Sequence, residues 1–451
     1  MKLWEKAQKT EEKVLKFSVG RDPEFDRLLA PYDVIGSMAH AIMLGETGLI
    51  DRSESESLVE TLAKYYPVVS DEAFHLREGE EDIHSHLESY LVEQLGDTGK
   101  KIHTARSRND QVLTAMQLMM KEEYRRIIER VSSLFDLLVG QAEKFSIHLL
   151  PGYTHTQVAM PSSFGLWLGA YAESLVNDLL FSTGITRIID QNPLGSAAGF
   201  GSSFPIDRDL TTKLLGFGDL QVSPVVAQLN RGKVETLMAQ GLAAIATTLS
   251  RLSADMILFM SQEMKFISFS EQLTTGSSIM PHKKNPDVLE LIRAHSNTVI
   301  HLPASLAGLS ANLISGYHRD LQLTKELLMP GIDKVGQCLE MMEMMVGEMN
   351  PATDILNNEK YDLLYSVEEV NRKVMKGLTF RDAYREVADE IAGGSFRPGR
   401  GFDYTHVGSI GNPGIERISE KIGPVLKELE IKPAEKTFEY LKNYYIMYAD
   451  R

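Results

Sequence analysis

Cysteine is nearly absent from this 451-residue sequence, in which Cys338 stands alone. A single thiol allows no disulfide within the chain and no zinc site built from several cysteines, which favours a reducing cytoplasmic setting. The N-terminal segment MKLWEKAQKTEEKVLKF is too charged to contain the apolar core of a signal peptide. We also find no charge-free apolar run of the roughly 20 residues that a transmembrane helix needs. The sequence therefore predicts a soluble protein of the cytoplasm.

A surplus of basic residues is missing as well. Lysine and arginine together number 47 against 62 acidic residues, which gives a formal net charge of −15. Nucleic acids and anionic membranes bind basic surfaces, so neither is an expected partner. The hydrophobic content of 43% excludes a disordered chain, and the length predicts two or three domains or one elongated architecture. Any local group of cations is therefore expected to face a small anionic ligand.

Recognisable nucleotide and metal motifs are absent too. The segment NPLGSAAGFGSS, residues 192–203, is rich in glycine and serine but lacks the spacing of a dinucleotide loop, and no strand precedes it. In EEDIHSH, residues 80–86, His84 and His86 are two positions apart, which directs them to different sides of a helix. We expect no metal site and no nucleotide cofactor.

Proline, which breaks helix interiors, is absent from three long windows, 104–150, 162–192 and 225–280. The first window opens with Ser107-Arg108-Asn109-Asp110, which predicts a capping box at a helix start. Apolar residues then recur every three or four positions, at Leu113, Met116, Met120, Tyr124, Ile127, Val131, Leu134 and Leu138. The third window repeats this pattern at Met238, Leu242, Ile245, Leu249, Leu252, Met256 and Phe259.

Two further helical stretches follow at 286–313 and 319–349, and each contains one proline that should kink it. Strand-like alternation is scarce, so the predicted class is all-α. The first long helix could reach about 55–60 Å and would leave its apolar face wet unless it packed in a bundle, completed by other subunits. The predicted division is an N-terminal helical domain (1–107), a central long-helix bundle (108–350) and a small C-terminal helical domain (351–451).

The segment TGSSIMPHKKNPDVLE, residues 275–290, concentrates hydroxyl groups and cations. Asn285-Pro286-Asp287 predicts a helix start with Asn285 as the N-cap and Pro286 at the first helical position. The residues before it would then lie at a helix N-terminus, where backbone amides favour anions, and Lys283 adds a full charge. Two interpretations stay open: an anion-binding lid whose serine is a nucleophile or base, or a solvated basic loop.

Three other segments also admit two interpretations. GYTHTQVAMPSSFG (152–165) places a histidine in a loop that leads into a helix, either as a general acid or base or as an ordinary hydrogen-bonding residue. HTARSRNDQ (103–111) offers arginines that suit carboxylate binding or simply cap a helix. GYHRDLQLTKE (316–326) puts Gln322 and Lys325 on one helical face, which could equally face solvent.

Taken together, these four segments resemble the fumarase/aspartase superfamily, whose members release fumarate from succinyl-type substrates. Within it, HTARSRNDQ, GYTHTQ, the doubled lysine of MPHKKNPD and the Y-x-R-D-L-Q-x-x-K pattern are similar to the argininosuccinate lyase family. The match runs from about residue 17 to the segment FRDAYREV at 380–387. The resemblance implies a three-domain helical fold, a homotetramer with sites shared between subunits, and cofactor-free reversible elimination of argininosuccinate to arginine and fumarate through a carbanion.

The resemblance also implies roles for individual residues. Ser277 matches the base that removes the proton beside the succinyl carboxylate, and Lys283 matches the lysine that stabilises the carbanion. Glu290 matches the acid that pairs with His155, the candidate for protonating the departing guanidinium. Residues that match substrate contacts, or lie in matching motifs that face the site, are Asn285, Asn109, Thr154, Tyr317, Gln322, Lys325, Arg108 and His84. No metal ligand is implied.

Three positions depart from the family's pattern. Thr156 stands where leucine is common, Ala105 replaces a common glycine, and Asp22 falls where a substrate-contacting serine is usual. An additional carboxylate at position 22 would repel fumarate but could attract the guanidino or amino end of the substrate. Two alternatives to argininosuccinate cleavage stay open: an adenylosuccinate-type lyase, which has a similar lid, and a non-catalytic structural protein like the lens crystallins related to this family.

Overall fold

Helices form almost all of the regular structure. The computed structural model describes residues 12–76, 80, 82–401 and 403–448. The helices in chain order are α1 (Glu12–Val19), α2 (Asp22–Glu46), α3 (Arg52–Val69), α4 (Ile83–Leu95), α5 (Asp97–Lys100), α6 (Arg108–Lys144), α7 (Phe164–Ile189), α8 (Arg208–Leu215), α9 (Pro224–Leu229), α10 (Lys233–Phe259), α11 (Asp287–Ile300), α12 (Leu302–Ser310), α13 (Thr324–Gly347), α14 (Ser366–Met375), α15 (Phe380–Ala392), α16 (Ile415–Glu428), α17 (Ala434–Lys442) and α18 (Tyr444–Met447). Short 3₁₀ helices span Lys101–His103, Glu271–Leu273, Arg319–Leu323, Ile355–Asn357 and Glu359–Tyr365. The all-α prediction is confirmed.

The strands are short and form two-stranded pairs. They are β1 (Leu149–Thr154), β2 (Gln157–Ser163), β3 (Gln191–Asn192), β4 (Asp219–Leu220), β5 (Ile267–Ser268), β6 (Thr275–Gly276), β7 (Lys284–Asn285) and β8 (Asn350–Pro351). β1 pairs with β2, β5 with β8 and β6 with β7 in antiparallel fashion, whereas β3 and β4 are parallel. These pairs brace loops at the ends of helices. Residues 1–11, on which the signal-peptide argument partly rests, lie outside the described part of the chain.

The long helix α6 begins where the capping-box pattern predicts. The backbone N–H of Asn109 donates to the Ser107 hydroxyl at 3.2 Å, and the backbone N–H of Ser107 donates to the Asp110 carboxylate at 3.0 Å. The helix then continues for 37 residues, which corresponds to about 55 Å. Every apolar residue of its predicted seam is buried. The seam therefore faces a core along the whole helix.

The bundle surrounds these seams. Helix α6 packs against α7, α2 and α13, and α10 packs against α7, α11, α12 and α13. All seven predicted seam residues of α10 are buried as well. The same core continues into the N-terminal helices, where α2 carries a long run of buried side chains. The predicted long-helix bundle is thus observed, with α2 as an additional member.

Two predicted helical stretches are interrupted. The stretch 286–313 divides into α11 and α12 at His301, because Pro303 occupies a start position of the second helix. The stretch 319–349 begins with a 3₁₀ turn before α13, whose interior contains Pro330.

The prediction of Asn285 as N-cap is wrong. Pro286 is the N-cap residue, and Asn285 belongs to strand β7.

The C-terminal segments pack on the rest of the chain in two places. Helix α16 lies against α7, and α17 lies against α2 and α3. The Tyr445 hydroxyl is 2.5 Å from the Ser55 hydroxyl, which joins the last helix to α3. Between α14 and α15 a small separate apolar cluster contains Val370, Ala383, Val387 and Phe396.

Two helices of the described residues are long and apolar enough to cross a membrane by length and composition alone. They are α2, whose apolar window is 83% buried within the protein, and α10, whose window is 50% buried. Each carries a few charged residues, so neither was found by the search for a charge-free apolar run. Core helices of soluble proteins pass the same test, so this is weak evidence for a membrane span.

Candidate active site

A cleft of about 440 Å³ opens where the starts of α2, α4 and α6 meet the segment that leads into α13. Half of the predicted site residues line this cleft, namely His84, Arg108, Asn109, Tyr317, Gln322 and Lys325. The remaining lining residues are Val19, Asp22, Asp26, Asp82, Val112, Arg231 and Arg319. The fold therefore gathers residues that are up to 300 positions apart in the sequence into one polar site.

Lys325 is held by two carboxylates at the base of the cleft. Its ammonium lies 2.5 Å from an oxygen of Asp22 and 2.6 Å from an oxygen of Asp26. Its side chain is only 3% exposed. Burial alone would lower the pKa of Lys325, but the two carboxylates outweigh it and raise that pKa. Lys325 is therefore a charged lysine whose positive charge is already balanced by the protein.

His84 lies at the start of α4 with its ring directed between the core and the cleft. Nδ1 is 3.1 Å from the Asp33 carboxylate, which also accepts hydrogen bonds from the Gln111 amide. Burial would lower the pKa of His84, but Asp33 outweighs it and raises the pKa. Nε2 is buried and has no hydrogen-bond partner among the described residues. The Asp33 contact thus favours a protonated ring whose second N–H can donate to a ligand.

Arg108 occupies the first position of α6 and bridges to α4. Its guanidinium donates to the Asp82 carboxylate at 3.0 Å and to the Ser85 hydroxyl at 2.6 Å. Burial would raise the pKa of Asp82, but His84 and Arg108 outweigh it and lower that pKa. Asp82 also caps α4, since its other oxygen accepts from the backbone N–H of Ser85 at 2.8 Å. Arg108 therefore connects two helix starts at the edge of the cleft.

Gln322 and Tyr317 lie on the opposite wall. The Gln322 amide donates to the backbone carbonyls of Ser18 and Val19, at 3.3 and 3.1 Å, at the end of α1. The guanidinium of Arg231 stacks over the Tyr317 ring at 4.9 Å from its centroid. This wall of the cleft thus contains a planar cation stacked on an aromatic ring.

Three charged residues of the cleft were not predicted from the sequence, namely Asp26, Asp82 and Arg231. A signal existed for the first, because Asp26 is four positions after Asp22 and shares its helix face. Asp82 stands in the EEDIHSH segment, in which His84 but not the acidic residues was predicted to face the site. Arg231 belongs to none of the four motifs, and only the fold brings it to Tyr317.

The other six predicted residues do not line this cleft. Four belong to residues 275–290, where β6 and β7 pair so that Thr275 lies opposite Asn285. Within the turn, the Ser277 hydroxyl oxygen accepts hydrogen bonds from the backbone N–H groups of Met280 at 3.1 Å and Ile279 at 3.4 Å. Donors in this position would stabilise negative charge on that oxygen.

The segment 275–290 is largely exposed to solvent. Lys283, Lys284 and Glu290 are exposed, and Asn285 is half-buried. The charge of Lys284 is paired, because its ammonium lies 3.2 Å from the carboxylate of Glu271. No ion pair to Lys283 is found among the described residues. Lys283 therefore remains available to an anionic ligand.

His155 and Thr154 lie in a β-hairpin, which corrects the expectation of a plain loop. Thr154 pairs with Gln157 at the end of β1 and β2, and His155 forms the turn. His155 and Thr156 both have positive φ angles, 52° and 59°, in the region that non-glycine residues rarely adopt. Both side chains are exposed, and within the described part of one chain no hydrogen bond or ion pair joins His155 to Glu290.

The glycine- and serine-rich segment 192–203 has a structural role beside the cleft. The buried carboxylate of Asp110 accepts hydrogen bonds from the backbone N–H groups of Gly195 at 3.0 Å and Ala197 at 2.9 Å. This fixes the segment against the start of α6. In the described ranges, no group of three or more His, Cys, Asp or Glu residues is arranged to hold a metal ion.

Comparisons with known proteins agree with this architecture. A family model described as Lyase matches residues 7–301. The argininosuccinate lyase of Parabacteroides distasonis is 50% identical over 425 residues, which cover 94% of this chain and 95% of that protein. The argininosuccinate lyase of Bacteroides thetaiotaomicron is 48% identical over 93% of this chain and 94% of its own length. A solved EDDS lyase in complex with formate has a TM-score of 0.71 at 22% identity, covering 98% of this chain and 94% of that one.

The helical fold and the family match define a lyase of the fumarase/aspartase superfamily. Within that superfamily, the family follows from the 50% and 48% identity to the two relatives over nearly the whole chain. The chain belongs to the argininosuccinate lyase family.

Proposed function

We propose that this chain catalyses the reversible cleavage of argininosuccinate to L-arginine and fumarate. The observation that carries the proposal is the 50% identity, over 94% of the chain, to a relative named argininosuccinate lyase. The four ordered motifs agree with it, since they supply a base, a cation and several polar contacts. Retention of Ser277, His155, Lys283 and Glu290 favours a catalyst over a structural homologue.

The chemistry assigned to the lid is the removal of a proton from carbon. The Ser277 oxygen takes the proton beside the succinyl carboxylate, and the electron pair spreads into that carboxylate to form a carbanion. Hydrogen bonds from Met280 and Ile279 to that oxygen support its role as a base, because they would stabilise an alkoxide. Lys283 is assigned to the carbanion's negative charge.

The second half of the reaction breaks the carbon–nitrogen bond. The electron pair of the carbanion forms the double bond of fumarate, while the guanidino nitrogen of arginine departs with the bonding pair and takes up a proton. His155 is assigned to deliver that proton, oriented by Glu290. The cleft lined by Asn109, Tyr317 and other predicted contacts is assigned to the arginine half.

A complete site requires more than one copy of the chain in this proposal. Ser277, Lys283 and His155 lie on hairpins at the surface, and Glu290 is exposed in the first turn of α11. Most of the residues assigned to binding line the cleft instead. The apolar window of α10 is only 50% buried within one chain, which leaves a face for other copies. We propose a cytoplasmic homotetramer with three domains per chain, divided at 1–107, 108–350 and 351–451.

The activity is tested by following the ultraviolet absorbance of fumarate as purified protein is mixed with argininosuccinate or adenylosuccinate. The proposal predicts fumarate from argininosuccinate alone, since the relatives that match nearly the whole chain are named argininosuccinate lyase. Fumarate from adenylosuccinate only would favour the rival lyase. No fumarate from either substrate would favour the structural homologue.

The assembly is tested separately by light scattering and by subunit mixing. A tetramer should have a mass close to four times the 50.4 kDa of one chain. If sites are shared, a lid variant and a cleft variant, each inactive alone, should regain activity when unfolded and reassembled together. A monomeric mass, or no recovery in correctly assembled mixtures, would contradict a shared site.

A further inference from the structure

Asp22 gives the cleft a negative charge that a serine at this position would not supply. Asp26 alone could neutralise Lys325, because its carboxylate lies 2.6 Å from the lysine ammonium. Asp22 adds a second carboxylate at 2.5 Å from the same ammonium. The three groups together therefore carry one negative charge in excess when both carboxylates are ionised.

That excess charge is presented to the cleft by Asp22. The side chain of Asp26 is 1% exposed, and its second oxygen accepts from the backbone N–H of Ile83 at 3.2 Å. The side chain of Asp22 is 16% exposed, and no described residue donates a hydrogen bond to its second oxygen. Asp22 also lines the cleft itself. One carboxylate oxygen is thus available to a ligand.

A cation that forms no direct ion pair with a described residue lies in the same cleft. Arg231 is 7% exposed and stacks on Tyr317, and no carboxylate of the described residues lies within ion-pair distance of it. Arginine forks bind carboxylates in a planar, two-bonded geometry. The buried Nε2 of His84, which has no partner among the described residues, also belongs to this cleft. Asp22 thus offers a ligand an acceptor in this cleft, and Arg231 offers it a donor.

We propose that Asp22 is a specificity-determining residue that accepts a hydrogen bond from the α-ammonium of an α-amino acid, while Arg231 receives its carboxylate. This inference rests on the proposed function, in which the ligand includes the arginine half of argininosuccinate. A charged acceptor makes a stronger bond to an ammonium than a neutral hydroxyl does. Asp22 would therefore favour ligands that keep a free α-amino group.

The experiment compares three ligands by calorimetric titration of the assembled protein. The probes are L-arginine, its analogue without the α-amino group (5-guanidinopentanoate), and its analogue without the carboxylate (agmatine). In the wild type we expect L-arginine to bind more tightly than the desamino analogue by on the order of 10-fold or more, from one charge-assisted hydrogen bond. Equal affinities in the wild type would overturn the proposal.

The variants Asp22→Ser and Asp22→Asn should reduce the preference for L-arginine over the desamino analogue to a few-fold. Asp22→Asn keeps the size of the side chain, so it remains informative if the serine variant fails to fold. A matched control is Glu24→Gln, which removes an exposed carboxylate two positions away on the same helix. Among the described residues, Glu24 forms an ion pair with Arg21 only. A folded position-22 variant with the full wild-type preference would overturn the assignment.

Fumarate release by the same wild-type preparation separates this inference from the proposed function. If no fumarate forms but L-arginine is still preferred in an Asp22-dependent way, the activity is wrong and the α-amino site stands. If fumarate forms and the preference does not depend on Asp22, the activity stands and the α-amino site is wrong.

Discussion

The ammonium of Lys325 lies 2.5 Å from the carboxylate of Asp22, in a position where both groups are largely removed from solvent. Burial, the first cause, and the neighbouring Asp26 raise the pKa of Asp22 to about 6, although Lys325 opposes the shift. Lys325 therefore stabilises the fold through these two ion pairs, whether or not a ligand is bound. Its removal would leave two carboxylates close together in a low-dielectric site.

We predict that Lys325→Met lowers the free energy of unfolding by about 3–5 kcal/mol, because breaking a buried ion pair leaves its partner uncompensated. Urea denaturation followed by circular dichroism measures this loss. The control is Lys442→Met, which removes a lysine that is 48% exposed and 3.5 Å from Glu439. That variant should lose at most about 1 kcal/mol.

Adding Asp26→Asn to Lys325→Met should restore part of the lost stability, since one of the two unpaired carboxylates becomes neutral. A loss of stability in Lys325→Met no larger than that in Lys442→Met would show that the ion cluster is not a buried one in solution.

The motif around Lys325 shows what the sequence could and could not predict. Gln322 and Lys325 were predicted on one helical face, and both line the cleft, although Gln322 lies in a 3₁₀ turn and Lys325 in α13. The groups that hold Lys325 come from α2, about 300 positions earlier, and no local pattern identifies such a partner. The same limit explains why Arg231 was missed, since it lies in the turn between α9 and α10 and only the fold brings it to Tyr317.

We predict that Ser277→Ala abolishes fumarate production, with a loss of at least on the order of 10³-fold in kcat, because no other group would remove the proton. The neighbouring Ser278→Ala is the matched control. Its side chain is exposed and is assigned no role, so most activity should remain. Equal losses in the two variants, with both proteins correctly assembled, would contradict the assignment of the base.

The local backbone structure of residues 275–290 differs from the prediction at the start of α11. Asn285 and Pro286 match a common helix start, so a cap at Asn285 was expected. Instead, Asn285 pairs with Thr275 in a two-residue ladder, which displaces the cap to Pro286. Pairs of this length have no alternation of apolar and polar residues, so the period-two signal of a strand cannot appear.

His40 should make stability fall in acid. Burial, Arg106 and His103 lower the pKa of His40 to about 3 from 6.5, although the Thr104 carbonyl, 2.9 Å from Nε2, opposes the shift. Between these two values the unfolded chain binds a proton that the native state does not, so lowering the pH favours unfolding.

The test is urea denaturation at several pH values between 6.5 and 4. In His40→Gln the fall in unfolding free energy should be shallower than in the wild type by up to about 1.4 kcal/mol per pH unit. Replacement of the exposed His75 by glutamine should leave the wild-type slope unchanged. Parallel slopes in the wild type and His40→Gln would mean that His40 is not buried in its neutral form.

We predict that replacing Ala105 by glycine raises the free energy of unfolding. Its φ angle is 59°, in the left-handed region that costs an L-residue about 1–2 kcal/mol. Ala105→Gly removes that strain but adds about 0.4–1 kcal/mol of backbone entropy to the unfolded chain. We therefore expect a net stabilisation of about 0.5–1 kcal/mol in urea denaturation. The same change at Ala388, exposed within α15, should cost about 1 kcal/mol, because glycine weakens helix interiors. The two variants should thus move in opposite directions, and a destabilised Ala105→Gly would show that the turn before α6 is relaxed in solution.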